Sequence, residues 1–249
     1  MQEQFSPASA GNAPGRNLRR EAVIAADATP EARRDFIRRT YAHLGVAVLA
    51  FIALEYLLLN STFAVKMVSM TARGGRLGWL AVLGGFILVG YIAERWARDS
   101  VSPGMQYLGL IVYVIAEAII FIPILFLAAY YTRYEGILGT AALITAVVFV
   151  GLTAVVFLTG ADFSWMGQFL YVAGVGAFGI LVASLIFGFS LGTIFAGAIV
   201  LLSAGYILYH TSNILHHYPI GSHVAASLAL FASIATLFWW VLRILMSRR

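Results

Sequence analysis

The chain has 249 residues, of which 61% are hydrophobic and 11% charged, and its net charge is +5. A soluble domain carries about a quarter charged residues, so this composition excludes an ordinary water-soluble core and favours helices immersed in lipid. The positive charge is no sign of a nucleic-acid partner, because the arginines lie beside apolar segments, where anionic lipid favours them.

The chain begins with a polar segment that we expect to be disordered. Residues 1–30 are rich in Ala, Gly, Pro, Ser and Asn and have no hydrophobic period. The charged stretch Glu31–Arg39 follows, and we expect it to be a helical lead-in at the membrane interface. The predicted division is therefore a disordered tail over residues 1–35 and a transmembrane domain over residues 36–249.

The rest of the chain predicts an all-α membrane protein, a bundle of seven transmembrane helices. A span needs about 20 mostly apolar residues. Seven segments meet this requirement, namely Tyr41–Leu59, Leu77–Ala93, Tyr107–Tyr130, Ile137–Leu158, Met166–Phe187, Leu191–Leu208 and Val224–Leu242.

Small residues on the last segment predict where it lies in the bundle. Ala225, Ala229 and Ser233 repeat every four residues, with Ala232 and Thr236 beside them. In lipid, helices associate through close packing, so a face of small residues indicates an interface. We therefore expect the last helix to be central. By the same argument, Gly and Ala elsewhere indicate close approaches, including a GxxxG at positions 188 and 192.

The distribution of basic residues indicates an orientation. If the N-terminus is inside, nine Arg residues lie inside and seven Arg or Lys residues outside, and four of the nine directly precede the first span. Short basic segments favour the cytoplasmic side. We expect a multi-pass protein of the cell (cytoplasmic) membrane with a cytoplasmic N-terminus.

Two glutamates interrupt apolar spans, and each is costly at the bilayer centre unless paired or hydrated. Glu117 lies in mid-span, six residues before Pro123, which can free a carbonyl and kink the helix. Its interpretation is open between part of an ion or proton path and a protonated carboxyl that only packs. Glu55 lies near the end of the first span, where we expect it to reach the interface.

Other polar groups have both a functional and a structural interpretation. Glu94, Arg95, Arg98 and Asp99 end the second span as a gating cluster or an interfacial ion-pair network. Four histidines within residues 210–223 suggest pH sensing or simply a polar loop. Their spacing matches no standard metal site, so we expect no metal and no cofactor. Protease motifs and a P-loop are absent, and we expect no enzyme activity.

Four segments carry a resemblance to a known family. LTGADFSWMGQFLYV precedes and opens the fifth span, and GYILYHTSNIL closes the sixth. AASLALFASIATLFWWVLRIL forms the last span, and QYLGLIVYVIAEAIIFIPIL forms most of the third. The chain thereby resembles the Bax inhibitor-1 family, or transmembrane Bax inhibitor motif proteins, from about Phe36 to Leu245. The third span is similar to that of a bacterial branch.

The resemblance implies a seven-helix bundle wrapped around its last helix and, for some members, a calcium leak gated by pH. In the family, one aspartate at the end of the sixth helix and one in the last helix form the pH sensor. This chain has His210 and Ser233 at those positions. Two carboxylates titrate as a coupled pair, which His and Ser do not reproduce, and a protonated His would repel Ca²⁺.

Two functions remain open from the sequence. The first is a pH-sensitive cation leak, for calcium or protons, through Glu117, His210 and Ser233. The second is a regulatory membrane protein that transports nothing and binds a partner such as a membrane protease.

Overall fold

The computed structural model describes residues 23–98, 102–132 and 135–247. Within these ranges the chain forms seven helices that are long and apolar enough to cross a membrane, and no strands. The predicted all-α, seven-helix fold class is therefore confirmed. The helices are α1 Pro30–Leu59, α2 Thr62–Ala97, α3 Pro103–Tyr130, α4 Ile137–Thr159, α5 Gly167–Phe187, α6 Thr193–His216 and α7 His223–Ser247.

The sequence marks several helix ends through local chemistry. Two helices begin with proline in their first turn after a capping hydroxyl, as Thr29 accepts from the Ala32 amide at 3.3 Å before α1. The α5 helix ends at Gly188, whose φ of 79° is accessible to glycine at little cost. Gly192 then caps the start of α6. The GxxxG at these positions is therefore a turn between helices, and the expectation of a packing motif there was wrong.

The α2 helix is broken at Gly75, where φ is 53° and ψ is −136°. The break lies within an Arg-Gly-Gly-Arg stretch and divides the element into a 13-residue first part and a longer second part. The second part contains the predicted span Leu77–Ala93. The first part, which includes Lys66 and Arg73, was not predicted as a helix.

The start of the described chain is ordered, which corrects the predicted tail boundary at residue 35. Ala25 is fully buried, its amide donates to the Tyr218 carbonyl at 2.9 Å, and the Ile220 amide donates to the Val23 carbonyl at 2.9 Å. Helix α1 already begins at Pro30. Backbone hydrogen bonds to the α6–α7 connection fix this segment. Such long-range bonds cannot be predicted from the amino-acid composition of the segment. Residues 1–22 of the predicted tail lie outside the described residues.

Helix α7 packs against α1, α2, α3, α4 and α6, as predicted for a central last helix. Its buried side chains include Phe231, Leu237 and Leu242. Successive spans alternate in direction. We call the side that holds the start of α1 the N-terminal face, and the α5–α6 turn and the end of α7 lie on the opposite face.

Helices α2 and α3 approach each other closely at Gly109. A Cβ built there would overlap the Ala93 carbonyl oxygen and lie 2.6 Å from the Ala97 amide nitrogen. Both neighbours are backbone atoms of α2, so they cannot move aside as a flexible side chain would. Only glycine is compatible with this approach.

We therefore expect Gly109→Ala to lower the free energy of unfolding by about 1–3 kcal/mol, because the added methyl forces α2 and α3 apart. Thermal unfolding of the purified protein in detergent measures the effect. Gly151→Ala in α4 is the matched control, since a Cβ there meets no atom within 4 Å. Equal unfolding temperatures for the two variants would contradict the packing described.

Candidate functional site

Two cavities lie inside the bundle, and together they hold the candidate site. The large cavity, about 670 Å³, lies between α2, α3, α5 and α7 and reaches from the opposite face, at Arg243, to Glu117. The small cavity, about 380 Å³, lies toward the N-terminal face and is lined by Arg98 and His210. The predicted residues therefore divide between the two cavities.

Glu117 lines the large cavity from the middle of α3 and is 5% exposed. Its carboxyl lies near the Tyr113 hydroxyl, one turn earlier on the same helix. Its Oε2 has no hydrogen-bond partner in the described structure. Helix α3 continues through Pro123, which supplies no amide hydrogen to the carbonyl one turn before it. Glu117 is thus a buried acid with one oxygen free to meet a proton or a polar group.

Glu55 does not reach the interface, and that expectation was wrong. It is 5% exposed, and neither carboxyl oxygen has a partner among the described residues. It interacts electrostatically with Glu117, so α1 and α3 bring two carboxyls into one buried region. The separation of 62 positions hid this pair, since nothing local to Glu55 indicates which helix it faces.

His210 and Ser233 line the same cavity, from α6 and α7 respectively. His210 is stacked on Tyr206 at 5.8 Å between ring centroids, and its Nδ1 has no partner in the described part of the chain. The Ser233 hydroxyl donates to the Ala229 carbonyl at 2.9 Å. The family's two sensor positions therefore line one cavity here, while their role in this chain stays a prediction.

The small residues of α7 do not form the tight interface that we expected. Ala229, Ala232 and Ser233 line the small cavity, and Thr236 lines both cavities and is exposed to them. The other faces of α7 make the buried contacts, through large residues such as Phe231 and Leu237 and through Ala226, Ser227 and Ala235. Small side chains here leave space open in the bundle, and the repeat of four marks a cavity wall.

The cluster at the end of α2 forms one ion pair in the described structure. Arg98 donates to the Glu94 carboxylate one turn away, and both residues line the small cavity. Arg95 is exposed and does not line it. Asp99 lies outside the described residues. The pair is largely exposed, as an interfacial pair would be, and a gating role stays a prediction.

The four neighbouring histidines have separate environments. His216 donates to the Ser212 carbonyl at 3.0 Å, and His217 donates to Asp162 at 2.9 Å. His223 instead meets His43 of α1, with ring centroids 4.9 Å apart. Among the described residues, no three metal-ligating side chains converge.

The meeting of His43 and His223 was not predicted. The Tyr107 hydroxyl lies between them, 3.2 Å from His43 Nε2 and 3.5 Å from His223 Nε2. His43 Nδ1 donates to the Arg39 carbonyl at 2.7 Å. Three helices thus contribute to this group at the N-terminal face, which no local sequence pattern indicates.

Comparison with known sequences decides the family. The family profile "Bax1-I: Inhibitor of apoptosis-promoting Bax1" matches residues 33–249. The chain belongs to the Bax inhibitor-1 family. As a member of this family with seven apolar helices, it is a multi-pass membrane protein.

Relatives of this Bax inhibitor-1 family member come from fungi, plants and bacteria. "Bax inhibitor 1" of Schizosaccharomyces pombe is 41% identical over 110 residues, which are 42% of this chain and 40% of the relative. "Protein LIFEGUARD 4" of Arabidopsis thaliana is 27% identical over 87% of this chain and 86% of its own length. An uncharacterized protein of Neisseria meningitidis serogroup A is 27% identical over 87% of this chain and 92% of its own length. No solved structure matches.

The Asp-Phe-Ser loop of this Bax inhibitor-1 protein follows α4 and is hydrogen-bonded to the end of α6. Asp162 accepts from the Ser164 amide at 2.8 Å and from His217 at 2.9 Å. The Phe163 amide donates to the Ser212 hydroxyl at 2.8 Å. The Ser164 amide, followed by the His217 side chain, lowers the pKa of Asp162. The motif that carries the resemblance is thus a docking contact between loop and helix end.

We expect Asp162→Asn to lower the free energy of unfolding by no more than about 1 kcal/mol, because the side chains of Asp162 and His217 are 45% and 46% exposed. Because the pKa of Asp162 is lower in the folded state than in the unfolded state, its ionised carboxylate stabilises the fold at pH values above the unfolded-state pKa of about 3.9. This contribution is lost as the pH falls below about 3.9 toward the folded-state pKa. The difference between variant and wild type is therefore present at neutral pH and disappears in acid. Thermal unfolding across this range measures it, with exposed Asp27→Asn as control. A difference that persists in acid would contradict the charge-based contribution.

Proposed function

We propose that this Bax inhibitor-1 family member provides a pH-sensitive leak path for protons. The observation that carries the proposal is that the two cavities share Leu181, Thr236 and Trp240 in their walls. One cavity lies toward each face of the bundle, and the few side chains that both cavities share separate the two cavities. A path through the bundle then needs only a local rearrangement at this partition.

The proposed path is lined by groups that exchange protons. Glu117 lies in the large cavity, and Glu94 and His210 lie in the small one. Buried carboxyl and imidazole groups in a bundle are typical of proton relays. Thr236, at the partition, donates to the Ala232 carbonyl at 2.9 Å, which leaves its oxygen free to accept from a water.

Protons are favoured over calcium because His210 and Ser233 occupy the two positions of the family's aspartate sensor. Calcium prefers several oxygen ligands, with carboxylates foremost. His210 and Ser233 supply one hydroxyl and no carboxylate. The charged groups around His210 are Arg98 and Glu94, from α2, and a further cation on the imidazole would repel a divalent ion.

The first test replaces the buried acid. Glu117→Gln keeps the shape of the side chain but removes the exchangeable proton, so we expect proton flux to fall to the level of protein-free vesicles. The measurement uses purified protein in liposomes with a pH-sensitive dye, over about pH 5–8, where histidine titrates. Glu31→Gln, on the exposed first turn of α1, is the matched control.

Two results would contradict the proposal. One is wild-type flux through Glu117→Gln, and the other is an absence of wild-type flux at every pH in that range. The second result would favour the alternative, a membrane protein that acts by binding a partner such as a membrane protease.

The second test concerns the choice of ion. We expect His210→Asp combined with Ser233→Asp to introduce calcium flux, because two carboxylates in one cavity bind the cation and share a proton. His210→Asp alone supplies one carboxylate and should introduce none. A calcium-sensitive dye in the same liposomes measures both variants. A folded double variant without calcium flux would show that these two positions do not set the ion.

A further inference from the structure

The large cavity has an unusual division between its mouth and its walls. Its walls are mainly aromatic and aliphatic, with Trp79, Phe86 and Trp239 among them. Its mouth at the opposite face holds two arginines, Arg76 from α2 and Arg243 from α7. A volume of about 670 Å³ is in the range of small-molecule sites.

Both arginines are held at the same turn, between α5 and α6. The Arg76 guanidinium lies so close to Gly188 that a Cβ there would overlap it. Arg243 Nη2 donates to the Leu191 carbonyl at 3.2 Å, and its guanidinium lies 5.2 Å from the centre of the Trp240 ring. The two cations therefore converge from different helices.

Among the described residues that line the mouth, none carries a negative charge to balance them. Within the described residues, neither guanidinium has a carboxylate partner. Glu117 is the acidic residue of the cavity lining. It lies ten residues from Leu127 along α3, or roughly 15 Å deeper at the rise of an α-helix. Most of the ten N–H donors of the two arginines remain available to an anion.

We propose that the large cavity binds a fatty acid, with its carboxylate between Arg76 and Arg243 and its acyl chain along the aromatic walls. Guanidinium groups match carboxylates in geometry as well as charge. The apolar walls accept a hydrocarbon chain. A single chain suits one cavity, whereas a phospholipid would have to leave its second chain outside. The mouth lies beside the α5–α6 turn and the last turns of α7, where the apolar helices end and a charged head group can reach water.

Tryptophan fluorescence offers a direct test, because bromine quenches nearby indoles. Of the five tryptophans, Trp79, Trp239 and Trp240 line the large cavity, and Trp96 and Trp165 do not. We expect dodecanoate brominated midway along its chain to quench the tryptophan fluorescence of the full-length protein saturably in unbrominated detergent. Brominated dodecanol, which lacks the charge, and a brominated phosphatidylglycerol should quench without saturation.

Variants locate the binding. Arg76→Gln with Arg243→Gln should raise the half-saturating dodecanoate concentration about tenfold or more, since it removes charged hydrogen bonds. Arg73→Gln removes the same charge from the same helix outside the cavity and should change nothing. If the double variant fails to fold, Trp96→Phe with Trp165→Phe still tests the site: the saturably quenched fraction should rise, because every remaining tryptophan lines the cavity.

Three results would overturn the inference. They are saturable quenching by the alcohol with equal affinity, unchanged dodecanoate binding in the folded arginine variant, and a saturably quenched fraction that falls without Trp96 and Trp165. Saturable quenching by phosphatidylglycerol in place of dodecanoate would assign the cavity to a membrane lipid and reject the fatty acid. The assay measures binding and no flux, so its outcome is independent of the proton path proposed above.

Discussion

The exclusion of water from the bilayer interior is the constraint on which this structure depends. Every polar group there needs a partner inside the protein. Hydroxyls on α7 meet this requirement within their own helix, as Ser233 and Thr236 each donate to a carbonyl four residues earlier. Glu55, Glu117 and His210 do not, since each has a buried polar atom without a partner in the described residues. Such groups are expensive to retain unless they act, which is why they define the candidate site.

The central helix both closes the bundle and keeps it partly open. The large side chains of α7, such as Phe231 and Leu237, are buried against its neighbours. Ala229, Ala232, Ser233 and Thr236 line the two cavities instead. Thr236 and Trp240 of the partition belong to α7, the most buried of the seven helices, and Leu181 belongs to α5, which in the described structure packs against α2 and α6 and not against α7. A change in α5 alone would alter the partition while the α7 packing stays intact.

The sequence was sufficient to predict the fold class, because hydropathy and segment length are read directly from the order of the residues. It was also sufficient for the family and the place of the last helix, through the motifs that carry the family resemblance. Through the family resemblance, it also indicated that His210 and Ser233 belong to one site, and both residues line the small cavity. It was insufficient where long-range contacts decide. The burial of Glu55 depends on α3, and the convergence of His43 on His223 depends on α1 and α7 crossing. The face of small residues was misinterpreted, since the same pattern marks either a close helix contact or a space between helices.

The two backbone hydrogen bonds that join residues 23–25 to the α6–α7 connection have a mechanical consequence. Val23 and Ala25 are bonded to Ile220 and Tyr218, only a few residues before α7 begins at His223. A tensile load applied to the chain at Val23 is therefore borne by the entrance of the central helix before it reaches α1. Any tether on the N-terminal side pulls directly on the helix that forms the walls of both cavities.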